Sequence, residues 1–145
     1  MKSTAKHFPA RLDCLTQVLA YVSAAGADAG LRAEECARVE LVIEELFTNT
    51  VDHGYANSRG GVDPGVRISV LTAATGLEVV YEDAAPPFDP TAQAGDSAAQ
   101  RVARGAIGGL GSVLIRSLPS KVTYGRQGEL NRTVLCFDRR DAARP

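Results

Sequence analysis

Two stretches of this chain alternate apolar and polar residues on either side of a short turn signal, and no other feature constrains the fold as much. Val66, Ile68 and Val70 alternate, and so do Leu77, Val79 and Tyr81, with Thr75-Gly76 between them. Val122 and Tyr124, then Leu130, Val134, Cys136 and Phe137, repeat the arrangement around Gln127-Gly128. Period-two alternation marks strands with one covered face, and the short interruptions make each pair an antiparallel hairpin. Helical spacing appears in three other places. Leu12, Leu15, Val18, Leu19 and Val22 predict an amphipathic helix over about 9–24, with Pro9 as a first-turn residue and a break at 25–30. Val39, Val42, Ile43, Leu46, Phe47 and Thr50 form the stripe of a longer helix from about Ala33 to Val51, ended by Gly54. Leu110, Val113, Leu114 and Leu118 mark a third, ended by Pro119, and Ser3 to Phe8 reads as an edge strand.

Strands that arrive as hairpins, rather than alternating singly with helices, predict an α+β fold. The expected form is a two-layer sandwich, with helices packed on one face of a largely antiparallel mixed sheet. At 145 residues the chain is expected to be a single domain, 1–145. Its 45% hydrophobic and 23% charged residues argue against disorder. Residues 84–107 are rich in Ala, Gly and Pro, and a loop of that length inside a compact domain is usually functional or mobile. The charged tail, 139–145, is expected to fray.

Sixteen Lys and Arg against seventeen Asp and Glu leave a net charge of -1, with no electrostatic footprint for nucleic acid. Cys14, Cys36 and Cys136 are widely spaced and odd in number, so neither a disulfide framework nor a zinc site is expected. No apolar leader opens the chain and no stretch is long enough to span a membrane, which points to the cytoplasm.

Three segments carry chemistry. Glu45, Asn49 and His53 form an i, i+4, i+8 row along the edge of the long helix's apolar stripe, while Glu44 points elsewhere. A carboxylate one turn from a carboxamide can orient a hydroxyl or water beside Mg²⁺, an ion that binds few protein oxygens and usually arrives with phosphates. The same row also fits a solvated polar edge. Asp83, at the end of a central strand, can accept a hydrogen bond from an exocyclic amine such as adenine N6, or simply form a turn before Pro86-Pro87. Gly108-Gly109-Leu110-Gly111 runs into a helix, where backbone N–H groups and the helix dipole attract an anion; the glycines would equally suit a flexible link.

In this order the segments resemble the anti-sigma-factor serine/threonine kinase family, a branch of the Bergerat or histidine-kinase-like ATPases that also include gyrase and sensor histidine kinases. Glu45 to Asn49 with Val51 to Tyr55 is similar to that branch's N box. Asp83 with Pro86 to Pro90 is similar to its first glycine box, and Gly108 to Gly111 with Leu114-Ile115-Arg116 to its second. The resemblance covers about residues 3–138.

The resemblance implies an ATP-binding anti-sigma factor and protein serine kinase. Asn49 would hold Mg²⁺, Glu45 would be the general base, and Asp83 would recognise adenine. Gly108, Gly109, Leu110 and Gly111 would wrap the phosphates as part of a mobile lid over about 84–109, to which Arg101 or Arg104 could add a charge. His53 would pack locally, since the family uses no phosphohistidine. The implied partners are a sigma factor and a small anti-sigma-factor antagonist carrying the acceptor serine or threonine, in a partner-switching circuit, with the kinase commonly a homodimer. One position departs: the first glycine box reads Asp-x-Gly in the family and Asp83-Ala84-Ala85 here. Alanine would cost about 1–2 kcal/mol there if φ is positive and nothing if it is not, so Ala85→Gly is expected to tighten ATP binding. The alternatives are a non-catalytic module that binds sigma factor or antagonist with a degenerate pocket, and another ATP-using enzyme of the same superfamily.

Overall fold

The computed structural model describes residues 1–57, 64–92 and 110–140. Within them, β1 (Lys2–Pro9), β2 (Gly65–Ala73), β3 (Gly76–Asp83), β4 (Lys121–Gln127) and β5 (Leu130–Asp138) form one sheet in the order β1-β2-β3-β5-β4. Every neighbouring pair is antiparallel. Both expected hairpins are present, and Ser3 to Phe8 lies within the edge strand β1. Helices α1 (Leu15–Asp28), α2 (Ala33–Asn49) and α3 (Leu110–Ser117) complete the α+β sandwich. Among the described residues no helix is long and apolar enough to cross a membrane.

The core lies between the helices and one sheet face. Val18 and Val22 of α1 and Val39, Val42, Ile43 and Phe47 of α2 are fully buried against Val66, Ile68, Val79 and Leu135. Each such side chain contributes about 1.5–3 kcal/mol by leaving water. The inward face changes character along the strands. One cross-strand row is Val70, Val79, Leu135 and Val122; the next is Ile68, Tyr81, Thr133 and Tyr124; the third is Val66, Asp83, Asn131 and Arg126. The polar end of this gradient lies beneath the C-terminal end of α2. The outward face carries the Arg67–Glu82–Arg132 ladder, at 3.3 and 3.8 Å.

Several expectations change. Pro9 ends β1 and opens no helix; a short 3₁₀ turn, Leu12–Cys14, precedes α1, and Leu12 is 51% exposed. α1 continues through 25–28, because Gly26 is where it meets α2: a methyl group there would stand 3.0 Å from Cys36 Sγ. In β5 the buried phase is Asn131, Thr133, Leu135 and Phe137, which puts Leu130, Val134 and Cys136 on the other face. Two polar residues occupy inward positions there because they have partners at the polar end of the sheet.

Candidate nucleotide site

The long helix ends in a way that i, i+4 spacing does not anticipate. α2 stops at Asn49, and the chain continues through a π-helical turn, Thr50–Gly54, then a 3₁₀ turn, Tyr55–Asn57. A π turn holds more residues than an α turn, and such turns are frequent at functional sites. Glu45 and Asn49 keep their one-turn separation. The expected i+8 alignment of His53 is lost, and His53 is exposed. Burial, and to a smaller degree repulsion from Glu44, pushes the Glu45 carboxyl up from its ordinary range.

The π turn points Thr50 inward. Buried Thr50 Oγ1 lies 2.7 Å from Tyr81 Oη, 3.0 Å from Asp83 Oδ2 and 2.9 Å from the Leu46 carbonyl. A hydroxyl has one proton, and its bond to a carboxylate is the stronger. The consistent chain is therefore Tyr81 donating to Thr50 and Thr50 donating to Asp83. Burial raises the Tyr81 phenol well above its ordinary value, so it remains a donor.

Asp83, 8% exposed, is held from two sides. Its Oδ1 accepts Asn131 Nδ2 at 2.9 Å and the Ala85 N–H at 3.2 Å. Asn131 Nδ2 also faces the carbonyls of Ala85 and Pro86, both at 3.1 Å. Asn131 Oδ1 accepts the Phe88 N–H at 3.2 Å and the Tyr124 hydroxyl at 2.5 Å. Arg126 donates to the Ala85 carbonyl at 2.8 Å, and the Tyr55 hydroxyl accepts the Ala84 N–H at 2.8 Å.

Two close approaches complete the site. A methyl group on Gly111, at the start of α3, would overlap the Glu45 carboxylate. A methyl group on Gly54 would stand 3.1 Å from Ala85 Cβ. Among the described residues no non-glycine residue has positive φ, so Ala84 and Ala85 carry no backbone strain. The methyl of Ala85, 2% exposed, fits because residue 54 has none.

Leu46, Asn49, Thr50, Gly54, Tyr81, Phe88, Pro90 and Thr133 enclose a cavity of about 30 Å³. That is the share of about one water molecule. Phe88 and Pro90 form one part of its lining. A groove of about 730 Å³ lies at the opposite end of α2, beside Arg32, Glu35, Arg38 and Arg139, so volume does not choose this site; the convergence of polar groups does.

Of the expected site residues, Glu45 and Asn49 lie one turn apart at the end of α2, Gly111 packs on Glu45, and Asp83 bonds Thr50, the residue after Asn49. Gly108 and Gly109, most of the expected lid (93–109), Arg101 and Arg104, and 141–145 of the tail lie outside the described residues. Leu110 is described only as the first residue of α3. Sequence reasoning missed Thr50, counted in the apolar stripe, and Asn131 and Thr133, hidden by the wrong phase of β5. The available signal was two polar residues at alternate positions in a strand ending on Leu135 and Phe137.

No curated protein sequence matches the chain. The structure of the RsbU and RsbW domains of Rv1364c from Mycobacterium tuberculosis superposes with a TM-score of 0.64 at 14% identity. The match covers 96% of this chain and 33% of that one, so this chain spans about a third of its length. At that identity the likeness shows the fold. The pattern of the histidine kinase-like ATPase domain matches residues 8–137, nearly the whole chain, and the protein belongs to that family.

Proposed function

We propose that this protein is an ATP-dependent protein serine/threonine kinase and anti-sigma factor. Its acceptor is a small antagonist protein, and it sequesters a sigma factor while the antagonist is phosphorylated. The observation that carries the reading is the bond from Thr50 to Asp83, which places Asp83 against the end of the helix that bears Glu45 and Asn49 one turn apart, within a domain of an ATPase family. Asp83 would receive the adenine amine. Among the described residues no three His, Cys, Asp or Glu side chains converge as a metal cage. By its match to the N box, Asn49 would supply one oxygen ligand, phosphates and water the others, to a Mg²⁺ ion that neutralises phosphate charge.

Phosphoryl transfer needs positioning and charge neutralisation more than covalent help from the protein. Glu45 would accept the proton of the acceptor hydroxyl. That oxygen bonds to the γ-phosphorus as the bond from phosphorus to the bridging oxygen breaks, and ADP leaves. A carboxyl with a raised pKa is a stronger base than a solvated glutamate. We read the chain as one domain, 1–145, working in the cytoplasm as a homodimer.

The test is phosphate transfer from labelled ATP to candidate antagonists, beside Mg-ATP calorimetry. Glu45→Ala is expected to abolish transfer and retain nucleotide, whereas Asn49→Ala weakens Mg²⁺-dependent binding itself. One observation favours a second reading, a non-catalytic binding module: the cavity lined in part by Phe88 and Pro90 has room for about one water. Absence of ATP and ADP binding, with or without Mg²⁺, would select that module.

A further inference from the structure

We infer that Asn131 is a positioning residue that sets the purine preference of the site by fixing the Asp83 carboxylate. The inference rests on the reading of Asp83 as the adenine acceptor and assigns a role to a residue outside the motifs that suggested that reading.

The orientation of the Asn131 amide is dictated by its surroundings. The Phe88 N–H can only donate, so the atom facing it must be the amide oxygen. The NH₂ group then faces three acceptors, Asp83 Oδ1 and the carbonyls of Ala85 and Pro86. Asn131 is 6% exposed, and among the described residues no buried side-chain polar atom lacks a partner. Rotating the amide would set its oxygen against three acceptors and its NH₂ against the Phe88 N–H. One orientation is therefore strongly preferred.

That orientation limits what Asp83 can do. A carboxylate has about four acceptor directions, two on each oxygen. Oδ1 has both occupied, by Asn131 and by the Ala85 N–H. Oδ2 has one occupied, by Thr50. Among the described residues one direction is left without a donor, on Oδ2, and it suits a single donor such as the exocyclic amine of adenine. Guanine presents a carbonyl oxygen at that ring position, and a held carboxylate repels it. A carboxylate free to turn could instead meet guanine's own ring N–H and amine. Fixation by Asn131 thus converts a generic acceptor into a selective one. Asn131 also ties the chain leaving β3 at three points, Ala85, Pro86 and Phe88, in a segment where the family's glycine is absent.

The test compares Mg-ATP and Mg-GTP binding by calorimetry in the intact protein. Asn131→Ala is expected to weaken ATP at least tenfold and GTP much less, so that the ATP/GTP ratio falls toward one. Tyr124→Phe, which removes one donor to Asn131 Oδ1 and leaves the carboxylate paired, is expected to shift the ratio the same way by a few-fold. Equal loss of both nucleotides in Asn131→Ala would make the residue merely structural and overturn the inference, as would wild-type binding of both. Should Asn131→Ala fail to fold, Tyr124→Phe decides, and an unchanged ratio overturns the inference. Asp83→Asn separates the two levels. If it binds ATP like wild type, the adenine reading of Asp83 falls and takes this inference with it. If it loses ATP while the Asn131 and Tyr124 variants do not, this inference alone falls.

Discussion

Gly111 packs so closely on Glu45 that a single methyl group on the glycine would overlap the carboxylate. The start of α3 and the last turns of α2 therefore meet at the one side chain to which proton transfer is assigned. Gly111→Ala must displace either the helix or the carboxylate. The atoms in the way are the far end of a flexible side chain, so the carboxylate turns aside at little cost in stability but leaves its place. Phosphate transfer is expected to fall at least tenfold while ATP binding changes less. Gly125→Ala is the control, because among the described residues nothing lies within 4 Å of a methyl group there. Equal rates for the two variants would remove Gly111 from the site.

Gly54 and Ala85 act as a pair. The alanine that departs from the family motif is accommodated because its partner on the π turn has no side chain. Ala85→Gly is therefore expected to leave ATP affinity within about twofold, contrary to the expectation from sequence alone, and to cost about 0.5–1 kcal/mol of stability through added chain freedom. Gly54→Ala brings two methyl groups to 3.1 Å and is expected to be the more damaging change, with Gly54→Ala/Ala85→Gly partly restored. Calorimetry and thermal melts of the three variants check this; a gain in ATP affinity on Ala85→Gly would show that the alanine obstructs the purine.

As the proposed base, Glu45 is expected to set the acid limb of the transfer rate. Burial is the larger cause of its raised pKa and Glu44 the smaller. A raised carboxyl pKa keeps the proton on the base to a higher pH, so activity is lost on acidification sooner than an ordinary glutamate would allow. Glu44→Gln removes the smaller cause and is expected to move the limb toward lower pH without changing the plateau rate. A pH–rate profile of wild type and Glu44→Gln measures this, and superimposable limbs would show that another group titrates.

The legible parts of this molecule were those whose signal is local. The Thr75-Gly76 and Gln127-Gly128 interruptions placed both hairpins, and the stripe from Val39 to Phe47 placed α2 with its Glu45–Asn49 spacing. Local signals failed where a tertiary contact decided. Gly26 reads as a breaker, but it sits inside α1 because Cys36 needs the space. Val134 and Cys136 read as inward, but the inward places in β5 belong to Asn131 and Thr133, whose partners Asp83 and Tyr81 are about fifty residues away in the chain. Apolarity alone sets strand phase only where the buried row is apolar, and at this end of the sheet it is not. Thr50 was misjudged for a related reason: its hydroxyl acquires meaning only once the π turn aims it at Asp83.

Glu35 makes stability depend on pH at the far end of α2. Its carboxylate accepts the Arg32 N–H at 2.8 Å, capping the helix start, and the Arg140 N–H at 3.3 Å, tying the end of β5 to that cap. The Arg32 N–H is the main cause that holds its pKa below the ordinary range; burial opposes it, and the Arg140 N–H and the Arg32 charge add to the lowering. A carboxyl depressed in the folded state contributes stability above its unfolded pKa, about 4.3, and loses that contribution as pH falls through the folded value. Loss of a side-chain cap costs about 0.5–2 kcal/mol. Glu35→Ala is expected to lower stability by that amount at neutral pH and by progressively less below about pH 5, where the wild type gives up the same interaction. Chemical denaturation across that range checks the convergence; a constant difference between the two proteins down to the acid end would mean that Glu35 acts through packing and not through its charge.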